Sequence, residues 1–153
     1  MADTWVFDTD GSIKPEGFIQ LTTMHGSLMI FFVIIPMLVG AFANFLVPLM
    51  IGARDMAFPR INMLSFWLAV PAGVLMMISF WVAGGPAGGG WTMYPPLSST
   101  NPVDPNATFI QGQLGTTLWI VSVGLIGFSS IVGGLNYITT IINMPCTHIG
   151  IDM

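Results

Sequence analysis

Asp, Glu, Lys and Arg are absent from three long stretches of this 153-residue chain: residues 17–53, 61–103 and 105–151. A helix crossing the hydrocarbon core of a bilayer takes about 20 predominantly apolar residues, and each stretch has room for one. Only 7% of the residues are charged and 54% are hydrophobic, against roughly 25% charged in an average soluble domain. The mean hydropathy is +0.81. These features predict an all-α transmembrane bundle with three spanning helices at about 19–50, 62–84 and 112–142.

The first span is long and contains Pro36, which predicts a kink or a tilt, and Pro48 is a candidate for its end. A short polar connection, "IGARDMAFPRIN", follows it. Between the second and third spans lies "AGGPAGGGWTMYPPLSSTNPVDPNATF", dense in Gly, Pro and Ser and therefore a loop. Asn106-Ala107-Thr108 within it matches the glycosylation acceptor pattern, which is too short to carry a reading. The sequence shows no internal repeat.

Lys14, Arg54 and Arg60 are the only basic residues, and the net charge is -4, so no basic patch exists for nucleic acid or anionic lipid. The lone Cys146 excludes an internal disulfide framework. Acidic Asp3, Asp8, Asp10 and Glu16 precede the first apolar run, unlike the basic start of a secretory signal. The twelve methionines are scattered, which suits a packed apolar interior and not a copper site. Arg54 and Arg60 place the 52–61 loop on the cytoplasmic or matrix side. The N-terminus and the glycine-rich loop then face outward.

Ionisable groups within a spanning segment are costly and usually mark function, and His25 is the only one at depth. It is either hydrogen-bonded to a neighbouring helix or, as a neutral imidazole in apolar surroundings beside the small Gly26 and Ser27, a ligand to haem iron. At about 1.5 Å per residue it stands roughly 43 Å along the helix from Arg54, near the outer boundary. A second group gathers toward the opposite end: Asp55 in the short loop, Asn44, Asn62 and Asn136 around it, and Ser129 and Ser130 higher up. Asparagines in apolar helices serve as interhelical glue or, with serine hydroxyls, hold ordered water; in the second case Asp55 collects protons at the mouth of a hydrated path. In "GGGWTMYPPLSS", Trp91 and Tyr94 read as interfacial anchors. The three glycines before Trp91 also permit close approach of something flat or bulky.

The stretches "HGSLMIFF", "NFLVPLMIGARDMAFPRINMLSFWL", "GGGWTMYPPL" and "SSIVGGLNYITTIINM" closely resemble subunit I of the haem–copper terminal oxidases, of the cytochrome c oxidase type. The likeness covers roughly residues 18–144 and the family's second to fourth transmembrane helices. It implies that His25 is an axial ligand of a low-spin haem of a or b type, and that Trp91 lies near the haem propionates. Asp55 matches the entrance of the D pathway for proton uptake, Asn44, Asn62 and Asn136 its lower lining, and Ser129 and Ser130 its continuation.

The resemblance also implies what this chain does not match. The family's first helix has no counterpart here, nor has anything after the fourth. The second axial ligand, the histidines of the copper and high-spin haem centre and the glutamate at the top of the pathway are therefore expected outside this fragment, which alone should be inactive. Phe18 stands where the family often has tyrosine, and the tail "PCTHIGIDM", residues 145–153, departs from the usual continuation. Residues 1–153 thus read as a partial subunit I domain with residues 1–17 as an outer N-terminal segment, from a truncated, frame-shifted or naturally split subunit. Cys146 and His148 in the tail are given no role.

The expected partners are the remainder of subunit I, subunits II and III, the lipid bilayer, and cytochrome c or a quinol as electron donor. The expected location is a bacterial or mitochondrial inner membrane. The rival expectation is a non-enzymatic three-helix membrane protein with a structural or assembly role.

Overall fold

The computed structural model describes residues 5–95 and 114–144. Among them are three helices long and apolar enough to cross a membrane: α1 (Pro15–Ile51), α2 (Pro59–Trp81) and α3 (Leu114–Asn143). The expected start of α3 near residue 112, the Asn106 pattern, Cys146, His148 and the 145–153 tail all lie outside the described residues.

Two of the expected boundaries move for reasons of backbone chemistry. Both α1 and α2 begin on a proline, Pro15 and Pro59, earlier than the apolar pattern predicted. Proline's fixed φ suits the first helical position, where its missing N–H is no loss. Pro48 does not end α1. The helix continues to Ile51 and stops at Gly52, which takes the left-handed conformation at φ 72°, ψ 16°, while the Pro48 carbonyl accepts the Ala53 N–H at 2.9 Å. α2 closes earlier than predicted, in a tight 3-10 turn at Ser79–Trp81, before the left-handed Gly84 and Gly85.

Pro36 acts as a widening and not as a sharp break. α1 is α-helical over Pro15–Ser27, winds with i→i+5 spacing over Leu28–Ile34 and Pro36–Ala43, and returns to α-helix over Asn44–Ile51. Proline has no N–H to give and its ring crowds the carbonyl one turn back. A wider winding relieves both, and such segments are found mostly at functional places.

α2 and α3 pack along most of their length through a seam of small and polar side chains. The buried residues of α3 are Gly115, Trp119, Ser122, Ile126, Ser129, Gly133, Asn136 and Thr140. Their spacing alternates four and three, the heptad period of two helices in left-handed contact. Close approach of the backbones lets serines bond across: Ser129 Oγ donates to the Ser65 carbonyl at 2.6 Å, Ser65 Oγ to the Ser129 carbonyl at 3.0 Å, and Ser122 Oγ to the Ala72 carbonyl at 2.6 Å. Among the described residues as many polar side chains are buried as apolar ones, while Phe45, Phe66, Trp67, Ile131 and Ile142 are exposed. Lipid tails are as apolar as leucine, so association of helices in a bilayer rests on packing and hydrogen bonds instead of apolar burial.

The glycine-rich connection folds back over this end of the bundle. A Cβ on Gly115 would lie 2.0 Å from the Gly85 carbonyl oxygen, and one on Gly85 would lie 2.6 Å from the Trp5 ring. Trp5 is held there by its indole N–H, which donates to the Phe80 carbonyl at 3.2 Å. Outside the spans, the Ser12 hydroxyl and backbone N–H hold the Asp10 carboxyl below its ordinary range.

Candidate functional site

The end of the bundle nearest the glycine-rich loop is organised by one hydroxyl. Ser27 is fully buried, and its Oγ donates to the Thr23 carbonyl at 2.8 Å while accepting the indole N–H of Trp119 at 2.9 Å and of Trp91 at 3.2 Å. One donor and two acceptor positions are the whole capacity of a serine hydroxyl. Trp91 is thereby tied to α1, where its ring also meets Phe31 at a centroid distance of 5.3 Å. Thr23 Oγ1 accepts the Gly90 N–H at 3.2 Å and fixes the loop just before Trp91.

His25 belongs to the opposite face of the same turn. Thr23, Met24 and Ser27 are buried, whereas His25 is exposed, and its imidazole has no hydrogen-bond partner among the described residues. Within these three helices it is therefore not interhelical glue. Its chain neighbours Thr22, Thr23 and Gly26, with Phe18 and Trp91 among others, line an apolar groove of about 400 Å³ that His25 itself does not line, and a Cβ on Gly26 would meet nothing within 4 Å. A free imidazole nitrogen, an apolar wall and a glycine that leaves room beside it fit a flat, largely apolar macrocycle carrying iron.

A second arrangement occupies the half of the bundle nearer Asp55. Asn44, Asn62, Ser129 and Ser130 line one cavity of about 510 Å³ between the three helices, together with Ser65, Tyr137 and the widened stretch of α1 around Pro36. Asn44 Nδ2 donates to the Gly40 carbonyl at 2.6 Å, but its Oδ1 is buried without a partner. A buried acceptor left unpaired is unfavourable, and a cavity with several polar groups around it is where water would satisfy it.

Two of the sequence candidates stand apart from that cavity. Asn136 is fully buried, and both ends of its amide are engaged by Phe58: Oδ1 accepts the N–H at 2.9 Å and Nδ2 donates to the carbonyl at 3.2 Å. It ties the start of α2 to α3, a task shared with Thr140 Oγ1, which accepts the Ala57 N–H at 2.9 Å. Asp55 lies exposed in the connecting loop, where Oδ1 accepts the Met56 N–H at 2.7 Å. Neither Arg54 nor Arg60 forms an ion pair with it among the described residues, so a structural pair does not explain the carboxylate.

The sequence reading missed Ser65 and Tyr137 as cavity residues and Ser27 as the acceptor of two indoles. The signal for Tyr137 was present in the alternation of four and three along α3, which puts Ser129 and Gly133 on the seam and Tyr137 beside it. No pattern in the sequence pairs Ser27 with Trp119.

Residues 2–153 match the family described as cytochrome C and quinol oxidase polypeptide I. The chain belongs to this family. It is similar to cytochrome c oxidase subunit 1 of Synechocystis sp., 48% identical over 132 residues, which cover 86% of this chain and 22% of that protein. The likeness to cytochrome c oxidase subunit 1 of Yarrowia lipolytica is 48% over 133 residues, covering 86% and 23%. The alternative cytochrome c oxidase subunit 1 of Bradyrhizobium diazoefficiens is 41% identical over 133 residues, covering 85% and 21%. The chain therefore spans about a fifth of the length of these curated relatives. With three helices fit to span a bilayer and this family membership, it is an integral membrane protein. The rival expectation of a non-enzymatic three-helix protein finds no support in these comparisons.

Proposed function

We propose that the chain forms part of the catalytic subunit of a respiratory terminal oxidase, which couples electron transfer to the reduction of oxygen to water and to proton pumping. The observation that carries this is the partnerless imidazole of His25 beside an apolar groove, in a chain of this family. In this reading His25 would hold the iron of a low-spin haem through a ring nitrogen, and Trp91, fixed by Ser27, would lie near its propionates. A haem bound there would supply one-electron transfer. In this reading copper and a high-spin haem are held by other parts of the subunit.

The other half of the bundle takes protons in. Asp55, exposed and free of an arginine partner, accepts a proton at its carboxylate and passes it to water held by Asn62, Asn44, Ser129 and Ser130. Asn136 keeps the Asp55 loop docked on α3 and so acts on this route by position. The loop with Arg54 and Arg60 faces the cytoplasm or matrix of a bacterial or mitochondrial inner membrane. The working complex includes the remaining parts of subunit I and subunits II and III, with cytochrome c or a quinol as donor.

Co-expression of this chain with the remainder of an oxidase subunit I and its partner subunits tests the proposal. A reduced-minus-oxidised spectrum with a low-spin haem band, together with oxygen uptake that depends on this chain, is the expected result. A stable haem-free three-helix product with no effect on uptake would overturn it.

A further inference from the structure

Tyr137 lies on α3 one residue after Asn136, yet it serves the cavity and not the seam. Its hydroxyl donates to the carbonyl of Val39, within the widened stretch Pro36–Ala43 of α1, and its side chain lines the same cavity as Asn44. Asn44 donates to the next carbonyl along, that of Gly40. The phenol and the amide thus donate hydrogen bonds to consecutive carbonyls of α1, and both line the one cavity. A tyrosine hydroxyl has a single proton to donate, and Val39 takes it. What Tyr137 can still offer the cavity is an acceptor, and the free group of Asn44 is likewise an acceptor, its buried Oδ1.

We propose that Tyr137 is a positioning residue of the proton inlet: by holding the Val39 carbonyl it ties α3 to the widened part of α1, and with Asn44 it forms a pair of acceptors that bind water by its hydrogens. Water held in this way turns its lone pairs away from α1, toward Ser129, Ser130 and Asn62 on the other helices. A proton arriving from the Asp55 side then meets a water oxygen able to receive it. The tie also keeps the cavity wall in place at the second of the two widened stretches of α1. This inference rests on the reading of the cavity as a proton inlet.

The test uses the complete oxidase complex carrying Tyr137→Phe, which keeps the ring and removes the oxygen. Haem content and spectra should match the parent. Steady-state oxygen uptake should fall roughly three- to tenfold, the scale of one hydrogen bond lost from the path. The solvent deuterium isotope effect on turnover should rise, and the alkaline limb of the pH profile should move to lower pH as proton supply becomes limiting. A merely structural tyrosine would leave the isotope effect and the pH profile unmoved. Replacement of Tyr137 by 3-fluorotyrosine, which retains the hydroxyl but weakens it as an acceptor, should raise the isotope effect in the same direction and covers the case in which the phenylalanine variant fails to assemble. Parent-like rate, isotope effect and pH profile in these variants would overturn the role of Tyr137. If Asp55→Asn in the same background is slow, the inlet stands without Tyr137; if Asp55→Asn is also parent-like, the inlet reading fails with it.

Discussion

The two ends of this bundle treat their polar groups in opposite ways. Near the glycine-rich loop the hydroxyl of Ser27 is saturated by Thr23, Trp91 and Trp119, and the exposed His25 imidazole, without a hydrogen-bond partner among the described residues, lies off that buried face. Near Asp55 the unpaired group faces inward: Asn44 Oδ1 is buried beside a cavity lined by further asparagine, serine and tyrosine side chains. Saturated groups hold helices together, and a polar group left open is free to take another partner. At one end the geometry admits a flat apolar group from outside the bundle, at the other end water within it.

The largest effect that can break this contrast is on the open group of the first end. In the assembled complex His25→Ala should abolish the low-spin haem signal altogether; a parent-like visible spectrum in that variant would falsify the ligand assignment. Next comes the mouth of the second end. Asp55→Asn keeps size and some hydrogen bonding but cannot titrate, so haem content should persist while oxygen uptake falls more than about tenfold and pumping is lost. Normal turnover would return Asp55 to an exposed loop carboxylate that accepts the Met56 N–H.

Smaller effects separate saturated from open groups directly. Asn136→Ala leaves the Phe58 N–H without its partner, while the Phe58 carbonyl keeps the Asn62 N–H, and should destabilise the α2–α3 pair by about 1–3 kcal/mol, readable as a lowered midpoint in detergent unfolding. Ser27→Ala removes the acceptor of two indoles and should cost about 1–2 kcal/mol, with a shift in the tryptophan emission of Trp91 and Trp119. Asn44→Ala should sit at the bottom of the scale, within roughly 0.5 kcal/mol of the parent, yet slow proton delivery in the complete enzyme. Should Asn44→Ala prove as destabilising as Asn136→Ala, the distinction between the two asparagines would be lost.

Much of the architecture was legible from charge alone. Three charge-free stretches and the short connection with Arg54, Asp55 and Arg60 gave the number and order of the helices, because a charged side chain in lipid is costly enough to be read directly as absence. Helix ends were less legible. Pro48 reads as a breaker, but its carbonyl, not its missing N–H, takes part in the cap made by Gly52 and Ala53. The likeness to the oxidase family singled out His25, Asp55 and the asparagines by position, and it could not separate Asn44 from Asn136, two residues of the same type near the same end.

By itself the sequence determined that this chain lies in a membrane, crosses it as three helices, and carries one imidazole at depth near one boundary and a cluster of amides and hydroxyls near the other. Those follow from residue type and spacing along a single chain, where transfer free energies add residue by residue. Only the tertiary structure decided which polar groups are spent on neighbours and which remain open. Whether an amide is glue or lining depends on atoms placed by another helix: Phe58 meets both ends of Asn136, and among the described residues no hydrogen-bond partner meets Asn44 Oδ1. A hydrogen bond is directional and short, so partnership across helices is fixed by packing and winding, including the widened turn at Pro36 that sets the Val39 and Gly40 carbonyls before Tyr137 and Asn44.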